Sequence, residues 1–397
     1  MTNNKETSDQ ESTIDWVERA RTLVPLIAEA SDRTEAEGQV PADIMKAMHD
    51  AELFRAALPR SMGGGEASSL VLMEMCEAIG SADASTAWCL GQALGCTWAA
   101  AYTPTEVARE IFGPTDAVVA WGPPGPQSKA IKVDGGYRVT GEWRFGSGSR
   151  NATWIGGHSM VYEDENTRAM DANGRPILRT MLMPTDSVRR IDVWQVMGLR
   201  GTGSDNYSVE DLFVPEGYTT WRDSQPDRTE FGPLYSISLL TIYGIVFSGL
   251  ALGVARSALN DFIELAKVKG SHGGPMLREN AVIQAGVATA NARILSSRAF
   301  LKEMISEQWE VLSADETPTL DLRARLRLAM TYSMNQSREA VNFAFQAAGT
   351  NAIFETNPFE RRMRDIHTLS AQGQSHVSNY EPVGEVFLGL EPSSHRV

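Results

Sequence analysis

A run of uncharged residues from Phe231 to Ala255 is the feature that most restricts the fold of this chain. A helix of this composition is apolar on every side, so it has to lie either across a membrane or among other helices. Gly249 and Gly253 add a small-residue pair at the spacing that lets two helices approach closely. Pro233, the diluting serines and glycines, and the lack of a basic cluster before the run favour a buried helix. The segment therefore predicts a helical core, and burial on this scale also suggests contacts between subunits.

Charge and cysteine content exclude several classes of partner. The formal net charge of the 397 residues is -14, which repels phosphate groups, so we expect no nucleic-acid or membrane partner. Residues 1–13 are polar, lack the apolar core of a signal peptide, and are expected to be a disordered tail of a cytoplasmic protein. Cys76, Cys89 and Cys96 are predicted to be buried free thiols, because zinc needs about four ligands and no histidine lies near them. We expect no metal site.

Hydrophobic periodicity divides the chain into three parts. Residues 14–114 carry apolar side chains at helical spacing, residues 115–228 form short strand-like runs, and residues 229–397 return to long helical runs. In the middle part, the turn residues Asp134–Gly136 separate two alternating runs and predict a tight hairpin. Residues 191–196 are a further strand candidate. The fold class is therefore α+β, with a helical N-terminal domain, a central β domain and a helical C-terminal domain.

The stretch WRFGSG is one candidate ligand site. Ser147 and Gly148 follow a strand-like run that carries Trp143 and Phe145. Small residues expose backbone N–H groups and let a planar ligand approach, hydroxyl groups donate hydrogen bonds, and aromatic rings stack. A plain Ser/Gly turn beside two core aromatics accounts for the same residues, so the local pattern leaves both interpretations open.

A second glycine-rich stretch, Leu199 to Gly217, holds Thr202, Ser204 and Asp205 before a strand-like run. A ligand-binding role and a purely structural role fit it equally well. Elsewhere the sequence contains no GxGxxG, GxxxxGK[ST], HExxH or GxSxG motif, and its six histidines form no i,i+4 pair. Local motifs therefore identify no common class of enzyme.

Taken in order, four stretches resemble the acyl-CoA dehydrogenase superfamily. They are the loop PRSMGGGEASS, the strand end WRFGSG, the segment MGLRGTGSDNYSVEDLFVPE and the C-terminal segment QAAGTNAIFETNPFERRMRDIH. The resemblance covers nearly the whole chain and implies an acyl-CoA dehydrogenase-like fold. In that fold a helical N-terminal domain, a central β-barrel-like domain and a C-terminal four-helix bundle follow one another, and the protein is expected to be a homotetramer.

The superfamily has two main chemistries, and the position of a carboxylate separates them. Its dehydrogenases use a glutamate to remove a proton next to a thioester, which is difficult without a positioned base. The two places that resemble that glutamate fall near Gln372–Gly373 and within residues 231–263, and neither holds a glutamate. The resemblance therefore favours the two-component flavin-dependent monooxygenases, the group D hydroxylases. The alternative is an FAD-dependent acyl-CoA dehydrogenase; a protein that only binds flavin is a third, which the intact WRFGSG loop argues against.

The monooxygenase branch implies a cofactor and partners. Reduced FMN or FAD arrives from a separate NAD(P)H:flavin reductase and reacts with O2. The resulting C4a-hydroperoxyflavin hydroxylates or S/N-oxidises an aromatic or heteroaromatic small molecule in a dry cavity. The few ionisable groups in the matching stretches imply an indole, a sulfide or an electron-rich ring as substrate, rather than an acid.

The resemblance also assigns individual residues. Ser147 matches the family serine next to flavin N5 and O4, and is expected to be catalytic. Residues expected to contact the cofactor are Trp143, Phe145, Ser147, Gly148, Arg278, Gln346, Gly349 and Thr350. Residues expected to contact the substrate are Trp88, Gln92 and Trp154.

Two further catalytic candidates replace a family histidine. Many relatives carry a histidine where this chain has Gln372. His376 lies four residues further on, which is one helical turn along the same face if a helix continues through residues 358–390. Gln372 and His376 are therefore alternatives for this role, and His367 is expected to be a structural hydrogen-bonding residue.

Overall fold

The structure is a computed structural model that describes residues 15–221, 227–270 and 274–394. The predicted disordered tail, residues 1–13, lies outside the described residues. The N-terminal helices are α1 (Trp16–Glu29), α2 (Ser31–Glu37), α3 (Ala42–Asp50), α4 (Ser69–Ala82), α5 (Ala84–Thr97) and α6 (Thr105–Phe112). The C-terminal helices are α7 (Leu239–Val268), α8 (Ala281–Ser313), α9 (Leu320–Ala348), α10 (Pro358–Ser370) and α11 (Tyr380–Phe387). This order of helices, strands and helices confirms the predicted fold class.

A mixed sheet lies between the two helical parts. Its strands are β1 (Val119–Trp121), β2 (Lys129–Val133), β3 (Gly136–Gly146), β4 (Trp154–Tyr162), β5 (Leu178–Pro184), β6 (Arg189–Ile191), β7 (Asp205–Pro215) and β8 (Thr219–Thr220). The strand order is β6-β7-β3-β2-β4-β5-β8, and β1 pairs in parallel with β4. The hairpin between β2 and β3 is confirmed, with Gly135 at φ 75° in its turn. The strand prediction for residues 191–196 is wrong beyond Ile191, because Trp194 turns away to donate to the Leu199 carbonyl at 2.9 Å.

Helix α7 contains the uncharged run, and it lies in the core. The helix is long and apolar enough to cross a membrane, but 78% of its most apolar window is buried inside the protein. Its small-residue pair faces α4. A methyl group at Gly253 would lie 2.1 Å from the Glu77 carbonyl oxygen, and one at Gly249 would lie 2.3 Å from that of Met73. The pair therefore allows two core helices to approach closely.

Two glycines of α5 give aromatic side chains of α7 their space. A methyl group at Gly95 would lie 2.3 Å from the ring of Tyr243. One at Gly91 would lie 3.3 Å from the ring of Phe247. Helix α7 is therefore fixed from two sides, and the side that faces α5 presents rings to the space beneath the sheet.

The last helical run is interrupted. The prediction of one helix through residues 358–390 is wrong, because α10 ends at Ser370 and α11 begins at Tyr380. The Ser375 hydroxyl donates to the carbonyls of Ser370 at 2.6 Å and Gln372 at 3.0 Å, which stabilises a turn at this point. His376 is consequently not one helical turn beyond Gln372.

The three cysteines are buried free thiols, as predicted. Burial raises the pKa of Cys89 to about 12, so its thiol stays protonated at neutral pH. Within residues 15–221, 227–270 and 274–394, no group of three or more His, Cys, Asp or Glu side chains could hold a metal ion.

The contact between α4 and α7 can be tested with one methyl group. Gly253→Ala should lower the free energy of unfolding by about 1–3 kcal/mol, because the added carbon overlaps a backbone oxygen that cannot move alone. Gly384→Ala is the matched control, since Gly384 is also helical and a methyl group there meets nothing within 4 Å. The control should be neutral or gain up to about 1 kcal/mol. Equal thermal midpoints for the two variants would contradict the packing described here.

Candidate active site

A cavity of about 660 Å³ lies between the sheet and helices α5, α7 and α10. Six aromatic side chains line it: Trp88, Trp121, Phe145, Trp194, Tyr243 and Phe247. Its polar lining consists of hydroxyl, amide and imidazole groups from Ser147, Thr202, Ser204, Thr368, Gln92, Gln372, Gln374 and His158. None of the described residues that line it is Asp, Glu, Lys or Arg.

A β-bulge aims the WRFGSG segment at this cavity. The pairing of β3 with β7 shifts register between Trp143 and Gly146, and Phe145 takes φ 58°. In a regular strand, residues 143 and 145 would point to the same face. Here Trp143 is fully buried against Tyr207, with ring centroids 5.3 Å apart, whereas Phe145 is 54% exposed and lines the cavity. The bulge thus separates a structural aromatic from one that can meet a ligand.

Three hydroxyl groups form a continuous chain at one end of the cavity. Ser147 Oγ accepts from Trp88 Nε1 at 3.0 Å and lies 2.7 Å from Ser204 Oγ. Ser204 Oγ lies 2.7 Å from Thr202 Oγ1, which in turn donates to the Leu199 carbonyl at 2.9 Å. All three hydroxyl residues are buried, so each proton in the chain has a limited choice of acceptor.

The backbone N–H and carbonyl of Leu199 connect the chain of hydroxyl groups to helix α10. Leu199 has φ 54°, an uncommon conformation for a residue with a side chain. Its N–H donates to Asp365 Oδ1 at 2.6 Å, and its carbonyl accepts from Trp194 Nε1 and from both the N–H and the hydroxyl of Thr202. Asp365 therefore fixes the loop that carries the hydroxyl chain without lining the cavity itself.

Burial raises the pKa of Asp365 to about 7, and the nearby Asp83 carboxyl adds to the shift. The hydrogen bond from Leu199 and the charge of Arg364 act in the opposite direction. The arginines around Asp365 pair with carboxylates, so they do not form an open anion-binding site. Arg361 and Arg364 both pair with Glu35 of α2, at 2.9 Å and 3.0 Å.

At the other end of the cavity, Gln92 is held by three acceptors, one of which is Cys96 Sγ at 3.7 Å from Nε2. Its Nε2 donates to the Trp121 carbonyl at 3.1 Å and to Tyr243 Oη at 3.0 Å. The nearly parallel rings of Tyr243, Phe247 and Trp88, here called the aromatic ladder, extend from Gln92 to the hydroxyl chain. Tyr243 stacks on Phe247 with centroids 5.6 Å apart, and Phe247 stacks on Trp88 with centroids 4.0 Å apart.

The cavity brings together some of the residues expected from the sequence. Those that line it are Trp88, Gln92, Phe145, Ser147 and Gln372. Trp143 lies in the sheet core, Trp154 stacks on Tyr218, and the Gly148 N–H supports the loop by donating to the Thr202 carbonyl at 2.9 Å. None of these three residues lines the cavity.

The other expected residues do not line the cavity. His376 is exposed and its Nδ1 bonds the Ser378 hydroxyl at 2.7 Å, while His367 bonds Asn342 at 2.8 Å as a structural residue would. Four residues expected to bind the cofactor are exposed and do not line the cavity: Arg278, Gln346, Gly349 and Thr350.

Several lining residues had no clear signal in the sequence. Trp121 comes from a strand of three residues, and Trp194 from a segment that resembled a strand. Tyr243 and Phe247 stand one helical turn apart in the uncharged run, a spacing that could have identified a face directed at a ligand. Thr202 and Ser204 belonged to a recognised polar loop, whereas Asp205 of that loop pairs with Arg150 at 2.8 Å.

The cavity suits a flavin ring together with a small aromatic molecule. Its volume falls in the range of roughly 300–1,000 Å³ that is common for ligand sites. Aromatic walls match a planar tricyclic ring, and Ser147, Thr202 and Ser204 supply hydroxyl groups for its polar edge. The unusual backbone of Phe145 is typical of a residue that is held for function.

Comparisons with known proteins agree with this geometry. Residues 8–114 match the family profile "Acyl-CoA dehydrogenase, N-terminal domain", and residues 245–377 match "Acyl-CoA dehydrogenase, C-terminal domain". The chain is 31% identical to indole-3-acetate monooxygenase of Pseudomonas putida, over 89% of this chain and 88% of that protein. It is 27% identical to HsaA of Rhodococcus jostii, a flavin-dependent monooxygenase oxygenase subunit, over 91% and 94% of the two chains. The crystal structure of 3-HSA hydroxylase from Rhodococcus sp. RHA1 superposes with a TM-score of 0.87 at 25% identity, covering 97% and 99% of the chains.

The protonation of Asp365 predicts a pH-dependent stability. An unfolded chain releases this proton near about pH 4, whereas the folded protein holds it to about pH 7. The stabilisation is therefore complete below about pH 4 and is lost as the pH rises to about 7. Asp365→Asn keeps an acceptor for the Leu199 N–H but cannot ionise. Relative to the wild type, it should gain up to about 4 kcal/mol of unfolding free energy between about pH 5 and pH 8.

The midpoints of urea unfolding at about pH 5 and at about pH 8 measure this difference in unfolding free energy between the variant and the wild type. Asp134→Asn is the control, because Asp134 lies in the exposed turn between β2 and β3. This variant should change the urea midpoint by the same amount at the two pH values. A pH-independent difference between Asp365→Asn and the wild type would contradict the assignment.

Proposed function

The chain belongs to the acyl-CoA dehydrogenase superfamily and to its flavin-dependent monooxygenases, and from that membership we propose that it oxygenates an aromatic or heteroaromatic small molecule with reduced flavin and O2. A separate NAD(P)H:flavin reductase supplies reduced FMN or FAD. The observation that carries the proposal is a cavity whose described lining residues provide aromatic rings, hydroxyl groups, amides and one imidazole, but no carboxylate.

Reduced flavin, once bound, would supply the oxygen chemistry: through a C4a-hydroperoxyflavin, one oxygen atom of O2 would pass to the substrate and the other would leave as water. The protein's part is to orient the ring, hold protons and exclude solvent, because water favours release of H2O2. Phe145, Trp88 and Trp194 supply apolar walls, and Ser147 supplies a hydroxyl group for the N5 edge of the ring.

The hydroxyl chain can present its proton in two ways. If Thr202 donates to the Leu199 carbonyl, Ser204 donates to Thr202 and Ser147 donates to Ser204. If Thr202 instead donates to Ser204, Ser204 donates to Ser147, and the Ser147 proton is free to point into the cavity. The Leu199 carbonyl keeps the N–H groups of Trp194 and Thr202 in both orders, so no buried acceptor is left unpaired.

The acyl-CoA dehydrogenase alternative lacks its base. The segment Ala371–Gln374 lines the cavity without a carboxylate, and α7 contributes Leu240, Tyr243 and Phe247. The acidic residues of α7 lie elsewhere, where Asp261 pairs with Arg362 and Glu264 with Lys267. The described lining therefore holds no carboxylate for this step, and its one imidazole, that of His158, is buried and bonds the Thr180 hydroxyl at 2.7 Å.

The proposal also includes an oligomeric state and a cellular location. We expect a cytoplasmic homotetramer. Arg278, Gln346, Gly349 and Thr350 are exposed in the single chain, as residues that reach the flavin of a neighbouring subunit would be. Arginine suits such a contact because its guanidinium binds phosphate through two parallel hydrogen bonds.

Stopped-flow absorbance tests the proposed function. The protein with reduced FMN or FAD is mixed with oxygenated buffer, and the spectrum of the oxygenated flavin is followed over time. A band that outlives the one formed without protein supports a monooxygenase. Co-purification of oxidised FAD that is bleached by an acyl-CoA would identify a dehydrogenase instead.

Ser147→Ala tests the hydroxyl assigned to the flavin. The variant should release H2O2 about tenfold faster than the wild type, the effect of losing one hydrogen bond of about 1.4 kcal/mol. Ser159→Ala is the matched control, since Ser159 is equally buried but donates to the Gly157 carbonyl within β4. An unchanged rate of H2O2 release in a folded Ser147→Ala protein would contradict the assignment of Ser147 to the flavin.

A further inference from the structure

We infer that this cavity selects an uncharged aromatic substrate with an N–H or O–H donor, and that the amide oxygen of Gln92 is the acceptor for that donor. The inference rests on the proposed function and narrows its substrate class. Gln92 is one of the lining side chains and is only 9% exposed.

The orientation of the Gln92 amide follows from its neighbours. The Trp121 carbonyl can only accept a hydrogen bond, so the atom 3.1 Å from it must be the amide nitrogen. The second N–H has Tyr243 Oη at 3.0 Å and Cys96 Sγ at 3.7 Å as its acceptors. The amide oxygen takes part in no hydrogen bond with the residues that the structure describes, and it is not among their enclosed, unpaired polar atoms. It is therefore left as an acceptor on the cavity wall.

The aromatic ladder places a planar substrate between the two polar ends of the cavity. Trp88 meets Ser147 at the proposed flavin end, and Tyr243 meets Gln92 at the other. The rings of Trp88, Phe247 and Tyr243 are within 8° and 5° of parallel, so they form one continuous apolar wall. A flat aromatic molecule on this wall would direct a ring N–H or O–H at Gln92.

The lining also rejects an anion. A carboxylate moved from water into this cavity would lose its hydration, and no lysine or arginine of the described lining replaces it. The buried Arg327 donates to Oε1 of the lining residue Gln374, and Arg327 itself does not line the cavity. His158 is 2% exposed, and its Nδ1 bonds the Thr180 hydroxyl at 2.7 Å.

Two pairs of nearly isosteric ligands test the inference by titration calorimetry in the presence of oxidised FMN. Indole and benzofuran differ in the ring N–H. Indole-3-acetamide and indole-3-acetate differ in charge. A mildly alkaline buffer, about pH 8, keeps histidine neutral. Indole should bind about three- to tenfold more tightly than benzofuran, and the amide at least about tenfold more tightly than the carboxylate.

Gln92→Leu removes the acceptor at similar volume and should bring the indole-to-benzofuran ratio close to one. Gln308→Leu is the matched control, because Gln308 of α8 is similarly buried but does not line the cavity, and it should keep the ratio. Far-ultraviolet circular dichroism checks that both variants fold.

The inference is overturned by equal affinities for indole and benzofuran in the wild type, by an unchanged ratio in folded Gln92→Leu, by tighter binding of indole-3-acetate than of its amide, or by no binding of any of the four. Failure of the proposed monooxygenase function gives a different result from failure of this inference. In that case the ligand ratios persist while reduced flavin and O2 yield no oxygenated flavin band.

Discussion

The close packing of α7 against α4 and α5 is the constraint on which the rest of the structure depends. Carbonyl oxygens of α4 occupy the positions where Gly249 and Gly253 would otherwise carry side chains. On the α5 side, Gly91 and Gly95 leave room for the rings of Phe247 and Tyr243. Burial of an uncharged helix thus does more than form a core, because the same contacts set the distance between α5 and α7 and hold the aromatic wall of the cavity.

A second junction joins the helical C-terminal part to the β domain. Asp365 accepts from the backbone N–H of Leu199, and the Leu199 carbonyl accepts hydrogen bonds from three donors. Near Asp365, Arg361 and Arg364 both pair with Glu35 of α2. The segment Arg361–Asp365 therefore affects the candidate site indirectly, by fixing the loop that carries the hydroxyl chain.

The sequence predicted the order of helices and strands, the hairpin at Gly135 and the buried α7, because each depends on periodicity or on a turn residue within a few positions. It did not predict that a bulge would send Trp143 and Phe145 to different faces, since alternation assumes a regular strand. It placed His376 by extending a helix whose end is stabilised by the hydroxyl of Ser375, a contact without a pattern in the sequence. Tyr243 and Phe247 looked like ordinary core residues until the packing of α5 showed which side they face.

The central claim is that a cavity without a carboxylate holds the flavin and its aromatic substrate. A crystal structure with reduced FMN or FAD and indole bound tests it most directly. The account predicts the isoalloxazine ring in the cavity, its N5 within about 3 Å of Ser147 Oγ, and only aromatic, amide and hydroxyl groups around the indole. An Asp or Glu side chain in contact with a ligand carbon beside the ring would contradict it.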